Sequence, residues 1–179
     1  QDTLVDFAAS GPVNVYVNGD VDIKQNSRIS SSPDARVRLY VWGSLRVWQS
    51  AAWEFAVQDW VIFTIRGGLE LKQDASIAKA AGYTQRAVVF LMDTSGSQGV
   101  TLSQDFALQE ALYAPTRPVT LQTNSNPDTE QLFGSIVAGQ LSCQGSGGCG
   151  ELTYDPALRD FLLGELGPVP GSWREERTS

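Results

Sequence analysis

Apolar and polar positions alternate one for one along the first part of the chain. Val13, Val15 and Val17 are followed by Val21 and Ile23, then by Ile29. The series returns as Val37, Leu39, Val41, Leu45, Val47 and Trp53, and again as Val61, Phe63, Ile65, Leu69, Leu71 and Ile77. A period of two is that of a strand with one buried face. The three series align without a gap over 16–29, 40–53 and 64–77, at a constant offset of 24 residues. Gly19, Gly43 and Gly67 keep that spacing, as do Gln25, Gln49 and Gln73. Each copy therefore reads as strand, turn at glycine, strand, corner and short strand.

A single copy has nothing on which to bury its apolar face. Copies stacked as rungs about 4.8 Å apart share one core and pair each backbone amide with a neighbouring rung. The pattern predicts an all-β chain, a right-handed parallel β-solenoid of about five to six rungs. Glycine at one place in each rung suits a corner that needs positive φ or a close backbone approach. The glutamine column can stack amide on amide. Asp22, Arg46 and Glu70 fall in one outward column, which sets a cation between two anions.

The repeat loosens further on. Residues 87–92 read as a strand, 93–99 as an inserted turn, and 100–108 as a return to the earlier pattern, a fourth rung. Residues 118–123 and 133–142 read as strands of later rungs, with 124–130 as a proline-containing loop. Asp155-Pro156 is a helix-start signal, followed by Leu158, Phe161 and Leu162 on one face and Gly167 as a stop. The expected organisation is a solenoid over 1–154, with a C-terminal helix and tail over 155–179 that pack on it and cap its open end.

Composition agrees with this picture. Apolar residues make up 42% of the 179 positions and charged residues 18%, a balance that suits a β-rich surface. No stretch approaches the roughly 20 apolar residues of a membrane helix, so no membrane contact is expected of this fragment. Its first residues have neither the basic nor the apolar region of a signal peptide, so the chain reads as a mature form or an excised piece. The net charge of −7 disfavours wrapping by DNA and confines any polyanion contact to the N-terminal rungs, where charge is nearly balanced. Cys143 and Cys149 flank a glycine-rich run that can close as a disulfide, which would imply an oxidising, extracytoplasmic setting.

The segment from Leu112 to Leu121, with Ala114-Pro115, leads to Gly134-Ser135-Ile136-Val137-Ala138, Tyr154-Asp155 and a closing Trp173-Arg174-Glu175. This order resembles the C-terminal β-solenoid region of large type IV pilus-associated proteins, the competence-linked minor pilins of the ComZ-like kind. The resemblance covers about the last third of the chain, and its motifs are structural. It implies an extracellular position on a pilus, other pilins as partners, and adhesion or DNA uptake as the task. Members of that family begin with a hydrophobic helix that does not precede Gln1 in this sequence.

The repeat also sorts the tryptophans. Trp53 shares a column with Ile29 and Ile77 and belongs to the core. Trp42 shares one with Asn18 and Arg66, and Trp48 one with Lys24 and Lys72, so both face solvent. Two readings stand. Trp42, Trp48, Lys24, Lys72 and Arg66 form a strip that binds DNA or a surface glycan, or the indoles pack on the stems of their cationic neighbours or against a protein partner.

Catalysis has little to draw on. The chain has no histidine, which removes serine triads and imidazole acid-base chemistry. No calcium repeat is present, and two cysteines without histidine cannot make an ordinary structural zinc site, so no metal and no cofactor is expected. The expectation is a non-enzymatic display module. Its rivals are a polysaccharide lyase-like β-helix and a cytoskeletal β-helix that polymerises end to end.

Overall fold

A computed structural model describes residues 4–7, 10–32, 35–55, 61–72, 74–79, 88–103, 107–122, 131–146, 149 and 151–154. The described residues are all-β and contain no helix. The expected capping helix, the loop at 124–130 and Gln73 lie outside them.

A first strand, β1 (Leu4–Phe7), precedes the coil. The first turn is β2 (Pro12–Val17), β3 (Val21–Ile23) and β4 (Arg28–Ser31), and the second is β5 (Arg36–Val41), β6 (Leu45–Val47) and β7 (Ala52–Phe55). The third is β8 (Val61–Ile65), β9 (Leu69–Leu71) and β10 (Ser76–Lys79). The fourth takes β11 (Val88–Met92), β12 (Val100–Ser103) and the start of β13 (Ala107–Gln122). Two more strands, β14 (Gln131–Gln144) and β15 (Glu151–Tyr154), follow.

Every pairing between these strands is parallel, and together they stack as a β-solenoid of about four turns. One face is built from β1, β4, β7 and β10, a second from β2, β5, β8 and β11, and a third from β3, β6, β9 and β12. The long β13 runs through all three: its residues 107–108 pair with β10, 110–113 with β11 and 119–122 with β12. It then pairs with β14, which pairs with β15.

The register is that of the repeat. Val21 lies beside Leu45 and Leu45 beside Leu69, and Ile29, Trp53 and Ile77 form a second column. Side chains from the three faces meet in one core. Leu45, Val47, Val61, Ile65, Leu69, Leu71 and Ile77 are buried there, and Phe63 stacks between Trp53 and Phe90 at centroid distances of 4.9 and 4.7 Å. Full burial of each such side chain is worth about 1.5–3 kcal/mol. The first turn is covered on one side only, so Val15, Val17 and Val21 are half-buried. Cys143, near the end of β14, packs against the core and is disulfide-bonded to Cys149.

Of the two roles open to the repeat glycines, positive φ falls to other residues: the non-glycine residues in left-handed conformation are Asn26, Ser50 and Asp74, at φ of 59°, 57° and 55°. Each sits third in a β-turn closed by a backbone bond, Ser27 N to Lys24 O, Ala51 N to Trp48 O and Ala75 N to Lys72 O. Asn and Asp tolerate this conformation better than most residues. Gln25 and Gln49 occupy the preceding turn position, are exposed, and form no amide ladder among the described residues.

The second alternative, a close backbone approach between turns, holds at Gly43 and Gly67. A Cβ on Gly43 would lie 2.6 Å from the backbone nitrogen of Asp20, and one on Gly67 would lie 2.6 Å from that of Ser44, whereas one on Gly19 would meet nothing. Gly43→Ala and Gly67→Ala should each cost about 1–3 kcal/mol, while Gly19→Ala should be close to neutral. Urea unfolding of the three variants measures this; equal losses at all three sites would refute the spacing account.

Candidate functional site

The site grows from the corner between the second and third faces. Each turn passes it as a tripeptide: Asn18-Gly19-Asp20, Trp42-Gly43-Ser44 and Arg66-Gly67-Gly68. Backbone bonds continue the parallel ladder round the bend, from Trp42 N to Val17 O, Gly43 N to Gly19 O, Arg66 N to Val41 O and Gly67 N to Gly43 O, all within 2.8–2.9 Å. The next amide in each turn is taken by a side chain from the turn before. Asp20 Oδ1 accepts from Ser44 N at 2.8 Å, and Ser44 Oγ accepts from Gly68 N at 3.0 Å.

The fourth turn departs from the repeat here. The partner offset is 27 residues between Ile65 and Met92 but 31 between Leu69 and Val100, so the chain holds four extra residues at this corner. These belong to the segment 93–99, which bends back over the older turns. Gln98 Oε1 accepts from Ser44 Oγ at 2.7 Å and from Gly68 N at 2.9 Å, and Ser95 N donates to Asp93 Oδ1 at 2.8 Å.

Arg117 anchors that segment from beneath. It stands in β13 between Pro115 and Pro118, is 1% exposed, and spends its guanidinium on backbone carbonyls. Nε donates to Asp93 O at 3.1 Å, Nη1 to Gln98 O at 3.0 Å and to Gly67 O, and Nη2 to Arg66 O at 2.7 Å and to Asp93 O. Burial pulls the Arg117 pKa down and the Asp93 carboxylate opposes it; an arginine stays charged in either case. Gly96 has to be glycine, because a Cβ there would run into Arg66 O and the Arg117 guanidinium.

Between the bent segment and the older corner lies a pocket of about 320 Å³ that opens to solvent. The older corner contributes Trp42, Arg66, Asp20 and Ser44 to its lining, and the inserted segment contributes Ser95 and Gln98. Trp42 is 59% exposed, and the guanidinium of Arg66 lies over its ring at 5.6 Å from the centroid. The Asp20 carboxylate is held below its ordinary pKa by the Ser44 amide and then by Arg46, whose Nη1 is 3.0 Å from Asp20 Oδ2. The Asp93 carboxyl is likewise lowered, first by the Ser95 amide and hydroxyl and then by Arg66 and Arg117.

The five residues singled out from the repeat therefore fall into two groups. Trp42 and Arg66 belong to the pocket. Lys24 and Lys72, from the turns on either side of Trp48, place their ammonium groups over its ring at 4.7 and 5.5 Å. Trp48 Nε1 also donates to Asp22 Oδ1 at 3.3 Å, and Lys72 is ion-paired with Glu70. Trp48, 37% exposed, is thus flanked by the side chains of its neighbours. The Asp22, Arg46 and Glu70 column holds, with Arg46 Nη1 at 3.6 Å from Asp22 Oδ1. Ser95, Gln98 and Arg117 were not legible as site residues. The available signals were the break in the 24-residue period and an arginine set between two prolines.

Comparison with known families gives one result. The sequence model of a family described as a domain of unknown function (DUF7305) matches residues 1–161, and the chain belongs to that family. No curated protein and no solved structure matches it.

Arg117→Met would leave four carbonyl acceptors short of donors and should cost about 3 kcal/mol or more, read as a lower urea midpoint. Arg117→Lys should recover only part, since one ammonium cannot span them all. The acid side can be tested separately. Because the Asp20 and Asp93 pKa values are depressed in the folded state, their contribution is complete above about pH 4 and is lost as pH falls through the folded values. Asp20→Asn and Asp93→Asn should flatten the fall of the unfolding midpoint below that pH and leave its shape near neutrality unchanged.

Proposed function

We propose that this DUF7305 protein is a non-enzymatic extracellular module of a type IV pilus-associated minor pilin, and that it presents the side of its solenoid for adhesion. The observation that carries the reading is Trp42, a large apolar side chain 59% exposed at the mouth of an open polar pocket. An indole pairs a large apolar face with a polar N–H, the combination that enriches tryptophan at binding interfaces. The Cys143–Cys149 disulfide adds weight for an oxidising compartment, and the ordered Ala-Pro, Gly-Ser-Ile and Tyr-Asp motifs of the resemblance point to the pilus.

The same reading takes the coil to be right-handed, β14 and β15 to extend it to five or six rungs, and residues 155–167 to close it as a helix. Other pilins are the expected neighbours at its ends. Adhesion is preferred to DNA capture. The lysines that a nucleic acid would need are already engaged, Lys24 and Lys72 on Trp48 and Lys72 on Glu70, and the chain as a whole is acidic. A lyase or a cytoplasmic polymer has no comparable support from the corner geometry.

Two measurements test the reading. The protein should be recovered, disulfide-bonded, with pili sheared from the surface of its native cells. Beads carrying the purified chain should adhere to glycan-coated surfaces and lose at least tenfold of that binding on Trp42→Ala, with Trp48→Ala changing it little. Adhesion unaltered by Trp42→Ala, or a reduced protein confined to the cytoplasm, would exclude it.

A further inference from the structure

We propose that the corner pocket is a binding site for an acidic saccharide, a sugar ring bearing a carboxylate of the uronic-acid type. The inference rests on the adhesion reading above and specifies its ligand. Three observations carry it: the shape of the cavity, the state of Arg66, and the local charge balance.

A volume of about 320 Å³ is at the lower end of small-molecule sites and matches one or two sugar rings rather than an extended polymer groove. One wall is the exposed Trp42 indole, a flat apolar surface for the C–H face of a pyranose ring. The inserted segment supplies hydrogen-bonding groups for ring hydroxyls. Ser95 and Ser97 are exposed, and Gln98, whose Oε1 is already taken by Ser44 and Gly68, has its amide N–H groups left to donate.

Arg66 supplies the selectivity. Among the described residues its guanidinium donates no hydrogen bond, and its side-chain neighbour is the Trp42 ring. Five N–H donors in a planar fork are thus held at the pocket wall by a cation–π contact, in the arrangement that takes a carboxylate in two-pronged fashion. The other ionic groups around the pocket are already matched. Asp20 is bonded to the Ser44 amide and to Arg46. Asp93 is bonded to Ser95 and lies in the fields of Arg66 and the buried Arg117, its carboxylate accepting no hydrogen bond from either guanidinium among the described residues. Asp20 and Arg66 are the charged residues that line the pocket, and Asp20 is already paired with Arg46, so Arg66 is the cation left facing the cavity on a chain of net charge −7. That charge favours a single carboxylate, while the surrounding acidity disfavours a long polyanion.

The test is isothermal titration of the full chain with a tetramer of galacturonic acid and with its methyl ester, which keeps the rings and removes the charge. The acid should bind at least tenfold more tightly than the ester at low salt. Arg66→Gln should bring the two to the same affinity, Trp42→Ala should abolish both, and a Lys24→Gln, Lys72→Gln double change outside the pocket should leave the preference intact. Equal binding of acid and ester to the unaltered chain would overturn the inference, as would a preference that survives Arg66→Gln or disappears with the lysine pair. Absence of binding by either tetramer would overturn it too. In each of these cases a Trp42-dependent adhesion to glycan surfaces would still stand, so the two readings fail by different measurements.

Discussion

Residues one coil apart stack at the spacing of paired β-strands, and the rest of the molecule follows from holding that spacing through every bend. Along the faces it is easily kept, because parallel strands pair at it naturally and apolar columns such as Val21, Leu45 and Leu69 fill the interior. At the corners the backbone must turn without drifting from the turn beneath. Gly43 and Gly67 do so by omitting a side chain where one would strike the backbone of the preceding turn. At the next corner the same requirement is met by Asn26, Ser50 and Asp74 in left-handed turns. One constraint therefore has two solutions, chosen by whether the chain needs a close approach or a reversal of φ.

Where the spacing is kept, it is strictly periodic and readable from one sequence. The 24-residue offset, the buried Trp53 column, the exposed Trp42 and the alternating Asp22, Arg46 and Glu70 column all follow from counting. The strands at 88–92, 100–103 and within 107–122 were also legible, because alternation survives even when the period does not. Register past residue 92 was not. The offsets there run 27, 31, 22 and 19, and insertions and deletions at corners leave no mark on the alternation itself. The positive-φ positions leave a weaker trace: Asn26, Ser50 and Asp74 differ in residue type, whereas the glycines that allow the close approach repeat as one type at a fixed spacing.

The candidate site lies where the periodicity breaks, and this is more than coincidence. Turns that keep the repeat stack directly on one another, whereas extra chain at a corner does not stack and can form a wall. The four residues gained in 93–99 provide it, but an insertion on its own is only a loop. Arg117 makes it a wall, by fixing the carbonyls of Asp93 and Gln98 in the inserted segment to those of Arg66 and Gly67 in the older turn. That link crosses some fifty positions of sequence and depends on which corner the arginine reaches, so no local pattern announces it.

Burying a guanidinium among carbonyls also ties the inserted segment to the older turn without using an acid. A carboxylate partner would have neutralised Arg117, whereas neutral acceptors satisfy its donors and leave its charge in place beneath the segment. The Asp93 carboxylate is held first by the Ser95 amide and hydroxyl, and the charges of Arg66 and Arg117 lower its pKa further. Arg66 is left with the face of Trp42 as its neighbour, and a cation–π contact orients a guanidinium without consuming its hydrogen-bond donors. By contrast Lys24 and Lys72 converge on a single indole and Lys72 is further paired with Glu70, so the same residue types a few positions away are used up in holding the coil together. What separates the two tryptophans is thus the inserted segment opposite one of them, which converts an ordinary corner of the solenoid into a recess with donors to spare.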